Sequence, residues 1–175
     1  MLEAAATTVR GVVAGAMASV SNPFRGGDEA PDAITLLEND HRRMEDLLAR
    51  GEDTTERAKG SRTSLLDTLT RELNLHELIE ERILYPALKS HPQARDIVLE
   101  GYQEHHVADL IVTELHAMPK DDERWGAKFK VLKENIEHHI EEEEGEMFRT
   151  ARGIFSAEEL REMGARMAAM KAAAG

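Results

Sequence analysis

Residues 76–86 read HELIEERILYP, and residues 139–149 read HIEEEEGEMFR. Each stretch opens with a histidine that is followed four positions later by a glutamate, which gives the pairs His76–Glu80 and His139–Glu143. Residues four apart lie on one face of an α-helix, about 40° round from each other. Because each pair continues an apolar stripe, the sequence predicts that its polar side chains point into the core of a helical protein.

These two stretches are part of an internal repeat. They align without a gap, 63 positions apart, and pair Glu81 with Glu144 and Tyr85 with Phe148. Upstream, NDHRRMEDLL at 39–48 aligns with QEHHVADLIV at 103–112 and pairs His41 with His105. Each half therefore carries one histidine on a first helix and His-x-x-x-Glu on a second. Two helical hairpins of this kind can fold with pseudo-twofold symmetry, which suits two metal ions bridged by two carboxylates.

Apolar residues recur at steps of three and four from residue 31 onward, and no segment alternates like a strand. Prolines and glycines separate the segments, so we expect an all-α protein: an up-down-up-down four-helix bundle with an extra C-terminal helix and an N-terminal arm. The predicted stripes are Ile34, Leu37, His41, Met44 and Leu48; Leu65, Leu69, Leu73, His76, Ile79, Glu80 and Ile83; Val98, Tyr102, His105, Ala108, Val112 and Leu115; and Phe129, Leu132, Ile136, His139, Glu143 and Met147.

Changes in composition divide the chain into three parts. Residues 1–30 form a weakly charged extension, residues 31–152 the bundle, and residues 153–175 a last helix. That helix opens with a capping box, in which Ser156 and Glu159 cap each other's backbone.

Charge and composition exclude several classes of function. The 175 residues include 34 acids and 22 bases, a net charge of −12 that disfavours nucleic acid and anionic lipid as partners. The chain has no cysteine, so any metal must be held by histidine, carboxylate or tyrosine. No apolar run reaches the ~20 residues that a membrane span needs, and a cytoplasmic location is expected.

A single histidine on an apolar face is more often a packed core residue than a ligand. Here, however, one histidine interrupts each of the four stripes in a shared register. Glutamates beside them in the core would cost several kcal/mol unless a cation compensated their charge. The shared register therefore favours a metal site over chance burial.

These motifs, DHR at 40–42, HELIEERILYP, EHH at 104–106 and KVLKENIEHHIEEEEGEMF at 130–148, together resemble the hemerythrin-like, or HHE cation-binding, family. The resemblance implies two iron ions in a non-haem di-iron centre. It makes His41, His76, His105 and His139 terminal ligands, with Glu80 and Glu143 as bridges. The same residue types also suit manganese or zinc.

One departure from the family pattern bears on function. Oxygen-carrying members have a fifth histidine four positions before the third-helix ligand, where this chain has Gly101. Water, Tyr102 or Glu77 could fill that place. An exchangeable water position can bind oxygen, peroxide or nitric oxide, whereas phenolate or carboxylate would favour ferric iron, so redox reactivity is expected over reversible oxygen carriage.

The residues next to the predicted ligands are expected to play lesser parts. His106 and His138 are predicted to be solvated or in the outer shell, and Glu45 and Asp109 to be hydrogen-bond partners of ligand imidazoles. Of the acidic run 141–146, only Glu143 is expected to be buried.

Two functions follow from the resemblance. The first is a di-iron protein that handles a small oxidant such as hydrogen peroxide, oxygen or nitric oxide, including catalase-like decomposition of peroxide. The alternative is a metal- or oxygen-sensing module that acts on a partner, or on a second copy, through the arm or the last helix. A purely structural bundle without metal is the third interpretation.

Overall fold

A computed structural model describes residues 31–174, which are helical apart from short connections. The prediction for residues 1–30 lies outside the described residues. None of the described helices is long and apolar enough to cross a membrane. The helices are α1 (Ala33–Glu52), α2 (Lys59–Ile79), α3 (Tyr85–Lys89), α4 (Arg95–Ala117), α5 (Glu123–Glu142), α6 (Phe148–Ile154) and α7 (Ala157–Ala174).

Two π-helical turns join helices into longer ones. Glu80–Leu84 links α2 to α3, and Glu143–Met147 links α5 to α6. With α1 and α4 these composite helices form a four-helix bundle in which both α1 and α4 pack against α2 and α5. The predicted all-α bundle with an additional C-terminal helix is confirmed.

Side-chain caps set the starts of three helices. Asp32 accepts a hydrogen bond from the backbone N–H of Thr35 at 2.9 Å and begins α1. Asp122 caps α5 through the N–H of Arg124 at 2.9 Å. The predicted capping box begins α7: Glu159 N–H donates to Ser156 Oγ at 3.2 Å, and Ser156 N–H donates to Glu159 Oε2 at 2.7 Å.

The apolar core consists of two clusters, one on each side of a polar layer. The first includes Ile34, Leu37, Ile79 and Leu84, and α7 contributes Leu160 and Met167 to it. The second includes Met44, Leu69, Leu73, Leu132 and Ile136. The predicted histidines fall at the boundary between the two, where each helix changes from one cluster to the other.

Helix α7 lies against α1 and α2 at the end of the bundle that contains the first cluster. Gly164 makes this approach close, because a Cβ there would overlap the Pro31 carbonyl and come within 2.8 Å of the Ala33 nitrogen. The C-terminal helix is thereby held next to the start of α1.

Both π turns begin at a predicted bridging glutamate. The helical periodicity of the sequence did not predict these turns. A π turn accommodates one extra residue and rotates the helix that follows by roughly 100°. The second stripe also differs by one position near its start: Leu66 is buried, whereas Leu65 is only half-buried.

Candidate metal centre

One histidine from each long helix reaches the polar layer. His41 comes from α1, His76 from α2, His105 from α4 and His139 from α5, and all four are 7% exposed or less. Glu80 and Glu143, the first residues of the two π turns, are 0% and 1% exposed. The structure therefore brings all six predicted ligands into one buried cluster.

The inner nitrogens of the imidazoles face one another in pairs. His41 Nε2 lies 3.2 Å from His76 Nε2, and His105 Nε2 lies 3.2 Å from His139 Nε2. Two imidazole nitrogens at this separation need a proton or a cation between them, because facing lone pairs repel. Each pair takes one histidine from a first helix and one from the second helix of the same half, as the repeat predicts.

The two glutamates connect these pairs. Glu80 Oε2 lies 3.3 Å from both His76 Nε2 and His105 Nε2. Glu143 Oε2 lies 3.3 Å from His41 Nε2 and 3.6 Å from His139 Nε2. Two donor sets result that share Glu80, and within each set the ligating atoms lie within 4.8 Å of one another: His41, His76, Glu80 and Glu143; and Glu80, His105 and His139.

Several of these polar atoms have no hydrogen-bond partner among the described residues. They are both carboxylate oxygens of Glu80, Oε2 of Glu143 and Nδ1 of His76. Buried carboxylate oxygens without partners are costly, and a bound cation would satisfy them. Imidazole and carboxylate also form the donor set that divalent iron, manganese and zinc accept. The residues present therefore fit a pair of metal ions.

The electrostatics of the metal-free cluster support the same conclusion. Burial raises the pKa of Glu80 well above its ordinary value, and the charge on Glu143 adds to the effect. Burial acts in the same direction on Glu143, but the imidazoles of His139 and His41 outweigh it and lower the pKa of that carboxyl. The metal-free cluster therefore favours ionisation of Glu143 over that of Glu80, whereas bound cations would favour ionisation of both.

Burial also keeps His76 neutral, because it lowers the pKa of this imidazole to about 4. A neutral imidazole is the form that binds a metal ion. Next to it, Glu77 is 9% exposed, and burial raises the pKa of its carboxyl group to about 7.

The outer nitrogens of three imidazoles donate to carboxylates on other helices. His41 Nδ1 is 2.8 Å from Glu144, His105 Nδ1 is 3.1 Å from Glu81, and His139 Nδ1 is 2.7 Å from Glu104. Such partners orient a ligand imidazole and fix which nitrogen carries the proton, leaving Nε2 free to bind.

The acids predicted for this outer role, Glu45 and Asp109, do not fill it. Asp109 is exposed, and Glu45 pairs with Arg42 rather than with a ligand. Glu144 is only half-buried and pairs with exposed Arg42, in keeping with its predicted surface position, but its contact with His41 was not predicted. The repeat alignment held the missing signal, because it pairs Glu81 with Glu144, and each follows a predicted bridging glutamate.

Tyr85 occupies the space beside Gly101. A Cβ built on Gly101 would lie 2.6 Å from the Tyr85 hydroxyl oxygen. That hydroxyl donates to Glu143 Oε1 at 2.9 Å and lies 3.3 Å from His105 Nε2, and its ring stacks on His105. Neither Tyr102, whose ring edge packs against Tyr85, nor Glu77 takes that place.

In an unbroken α-helix, Tyr85 would point away from the site. Tyr85 is nine residues after His76, which places it roughly 180° away at 100° per residue. The π turn reduces that angle to roughly 80° and brings the ring to the centre. At the equivalent position of the other half, Phe148 stacks on His41 but has no hydroxyl.

A small cavity of about 10 Å³ adjoins the centre, near the lower limit of about 10–15 Å³ for holding one water molecule. Its apolar lining includes Met44, Leu73, Ala108 and Ile136, and its polar lining includes Glu77 and the imidazoles of His76, His105 and His139. The other four histidines lie outside this region. His106 and His116 are exposed, His138 is 61% exposed and pairs with Glu142, and His91 is half-buried with its ring against Phe155.

The fold and this cluster define the class of protein as a cation-binding helical bundle. The family model described as the hemerythrin HHE cation binding domain matches residues 32–151, and the chain belongs to this family. Similar in structure is a hemerythrin HHE cation binding domain-containing protein from Mycobacterium kansasii. It is 25% identical, with a TM-score of 0.71 over 81% of this chain and 85% of that chain. No curated protein matches the sequence.

Proposed function

We propose that the six buried ligands hold two iron ions and that the protein decomposes a small oxidant, with hydrogen peroxide as the first candidate. This proposal rests on the pair of donor sets joined through Glu80, in which three carboxylate oxygens have no hydrogen-bond partner among residues 31–174. When bound, a pair of iron ions would supply redox equivalents and exchangeable coordination positions.

The side chains around the centre limit the size of the molecules that can reach the pair of iron ions. The adjoining cavity has room for about one water molecule, and its lining combines apolar side chains with Glu77 and three of the imidazoles. Peroxide, oxygen and nitric oxide are close to that size, whereas larger substrates would need the bundle to open. Decomposition of peroxide also needs no further reactant, because one molecule is oxidised to oxygen while a second is reduced to water.

Tyr85 supports redox chemistry over reversible oxygen carriage. Its ring takes the space next to Gly101, so an additional imidazole cannot enter from that position. Its hydroxyl donates to Oε1 of Glu143, whereas the His41 nitrogen lies beside Oε2 of the same carboxylate. Peroxide turnover without a long-lived oxygen adduct is the expected behaviour.

The test combines metal analysis with a matched pair of variants. Wild-type protein should bind two metal ions per chain, and iron-loaded protein should release oxygen from hydrogen peroxide. Glu143→Gln should lose most of the metal, whereas Glu141→Gln removes the same charge from an exposed neighbour and should retain both metal and activity. Full metal content in Glu143→Gln would contradict the site. Iron-loaded wild-type protein that releases oxygen reversibly and leaves peroxide intact would contradict the proposed reaction.

A metal-sensing role is the second candidate, because α7 lies outside the bundle yet contacts the residue beside His41: Lys171 binds Asp40. In that case α7 should change its protection from hydrogen exchange when metal binds, and peroxide turnover should be absent. Unchanged protection of α7 would remove this alternative.

A further inference from the structure

His76 differs from the other three ligand histidines at its outer nitrogen. The outer nitrogens of His41, His105 and His139 each lie 2.7–3.1 Å from a carboxylate oxygen. His76 Nδ1 has no hydrogen-bond partner among the described residues, although this imidazole is only 1% exposed. One of four otherwise similar ligands therefore lacks the acceptor that orients the others.

The internal repeat shows which acceptor is missing. Asp40 precedes His41 as Glu104 precedes His105. Glu104 accepts from the histidine of its own half, His139, at 2.7 Å. The equivalent contact, from His76 Nδ1 to Asp40 Oδ2, is 3.7 Å and too long for a hydrogen bond.

Two features distinguish Asp40 from Glu104: its side chain is one methylene shorter, and its carboxylate is held by Lys171. Lys171 Nζ donates to both oxygens of Asp40, at 2.5 and 2.6 Å. Asp40 is 6% exposed, and the Lys171 side chain is 18% exposed, so water screens this ion pair weakly. Lys171 comes from α7, the helix that follows the second half of the repeat. Among the described helices, the first half of the repeat has no equivalent of α7.

We propose that Lys171 is a positioning residue: by holding Asp40 it keeps the His76 imidazole without a carboxylate acceptor. The His41–His76 position therefore binds its metal ion less tightly than it would with that acceptor. This inference rests on the proposed function, since it concerns the same pair of ions.

Two physical effects act in the same direction. A carboxylate acceptor at the outer nitrogen makes an imidazole a stronger ligand, and loss of such a partner typically costs 10–100-fold in metal affinity. The ammonium group of Lys171 also repels a nearby cation. Arg42 has no equivalent effect at His41, because its side chain is 54% exposed and Glu144 still accepts from His41 at 2.8 Å.

The test follows the release of zinc from the zinc-loaded protein to a coloured chelator. Wild-type protein should release its two ions in two phases. Lys171→Met keeps the length of the side chain and removes its charge, which frees Asp40 to accept from His76. It should slow the phase that belongs to the His41–His76 position about 10-fold and leave the other phase unchanged. Lys171→Arg should behave like the wild type, and so should Lys130→Met, which alters an exposed lysine on α5.

The direction of the change separates positioning from simple structural support. If Lys171 only anchored α7, its removal would loosen the bundle and speed release. Release from Lys171→Met that is as fast as, or faster than, release from Lys130→Met would overturn the proposal. Wild-type protein that takes up no zinc pair would instead contradict the proposed function, and this inference with it.

A measurement on the wild type covers the case in which Lys171→Met does not fold. In a ¹H–¹⁵N correlation spectrum of zinc-loaded protein, three imidazole Nδ1–H protons should resonate far downfield, as protons donated to carboxylates do. The proton of His76 should lie well upfield of them. Four equally downfield protons would show that Asp40 already accepts from His76 and would refute the proposal.

Discussion

Gly101→Ala should destabilise this protein, against the usual effect of such a change in a helix. Alanine in place of a glycine within a helix normally stabilises by about 0.5–1 kcal/mol. Gly101 lies inside α4, but its new methyl group would come within 2.6 Å of the Tyr85 hydroxyl oxygen and 3.1 Å of the adjacent ring carbon. Overpacking of this kind costs about 1–3 kcal/mol, so we expect a net loss of about 1 kcal/mol.

Removal of the hydroxyl isolates the contact. Tyr85→Phe alone should cost about 1–3 kcal/mol, because Glu143 loses a buried donor at 2.9 Å. In that background the contact at 2.6 Å is absent, and Gly101→Ala should be close to neutral. The double-mutant cycle should therefore give a coupling free energy of about 1 kcal/mol or more.

Urea unfolding of the metal-free protein measures all four members of the cycle without interference from different metal contents. Gly60→Ala is the control, since a Cβ there meets nothing within 4 Å. Equal effects of Gly101→Ala in the tyrosine and phenylalanine backgrounds would refute the placement of Tyr85. The same contact means that Gly101→His cannot supply a fifth imidazole unless Tyr85 is shortened as well.

Three further predictions concern metal, pH and the last helix. Chelation should lower the melting temperature of the metal-loaded protein, because a bound ion stabilises only the folded state; equal melting with and without chelator would contradict a metal site. In the metal-free protein, burial raises the pKa of Glu77 from 4.5 to about 7, so the folded state favours the protonated carboxyl group. The contribution of Glu77 to the free energy of unfolding is therefore fully present below pH 4.5 and is lost as the pH rises through 7. Glu77→Gln should therefore gain about 3 kcal/mol at pH 8 and nothing at pH 4, as urea unfolding at both values can show. Ser156→Ala should cost about 1 kcal/mol by removing the capping box of α7, with the greatest loss of hydrogen-exchange protection in that helix; unchanged protection there would count against the box.

Local periodicity and the repeat determined the fold and the set of candidate ligands. An apolar stripe is a property of each helix alone, so a histidine at the same register of four stripes must enter the core wherever those helices pack together. The spacing from His76 to Glu80, and from His139 to Glu143, lies within a single helical turn and needed no tertiary information. The structure brings these residues into one cluster, as the register predicted.

The tertiary structure decided what surrounds those ligands. The acceptor of His41 is Glu144, 103 positions away, and the base that holds Asp40 is Lys171, 131 positions away. Such pairs depend on how helices cross and on their relative rotation, which no single helix encodes. The π turns add a second cause, since an extra residue in a turn changes the phase of everything after it and brings Tyr85, rather than Tyr102, to the centre. Helical periodicity therefore predicts which faces meet, whereas the contacts between those faces follow only from three-dimensional packing.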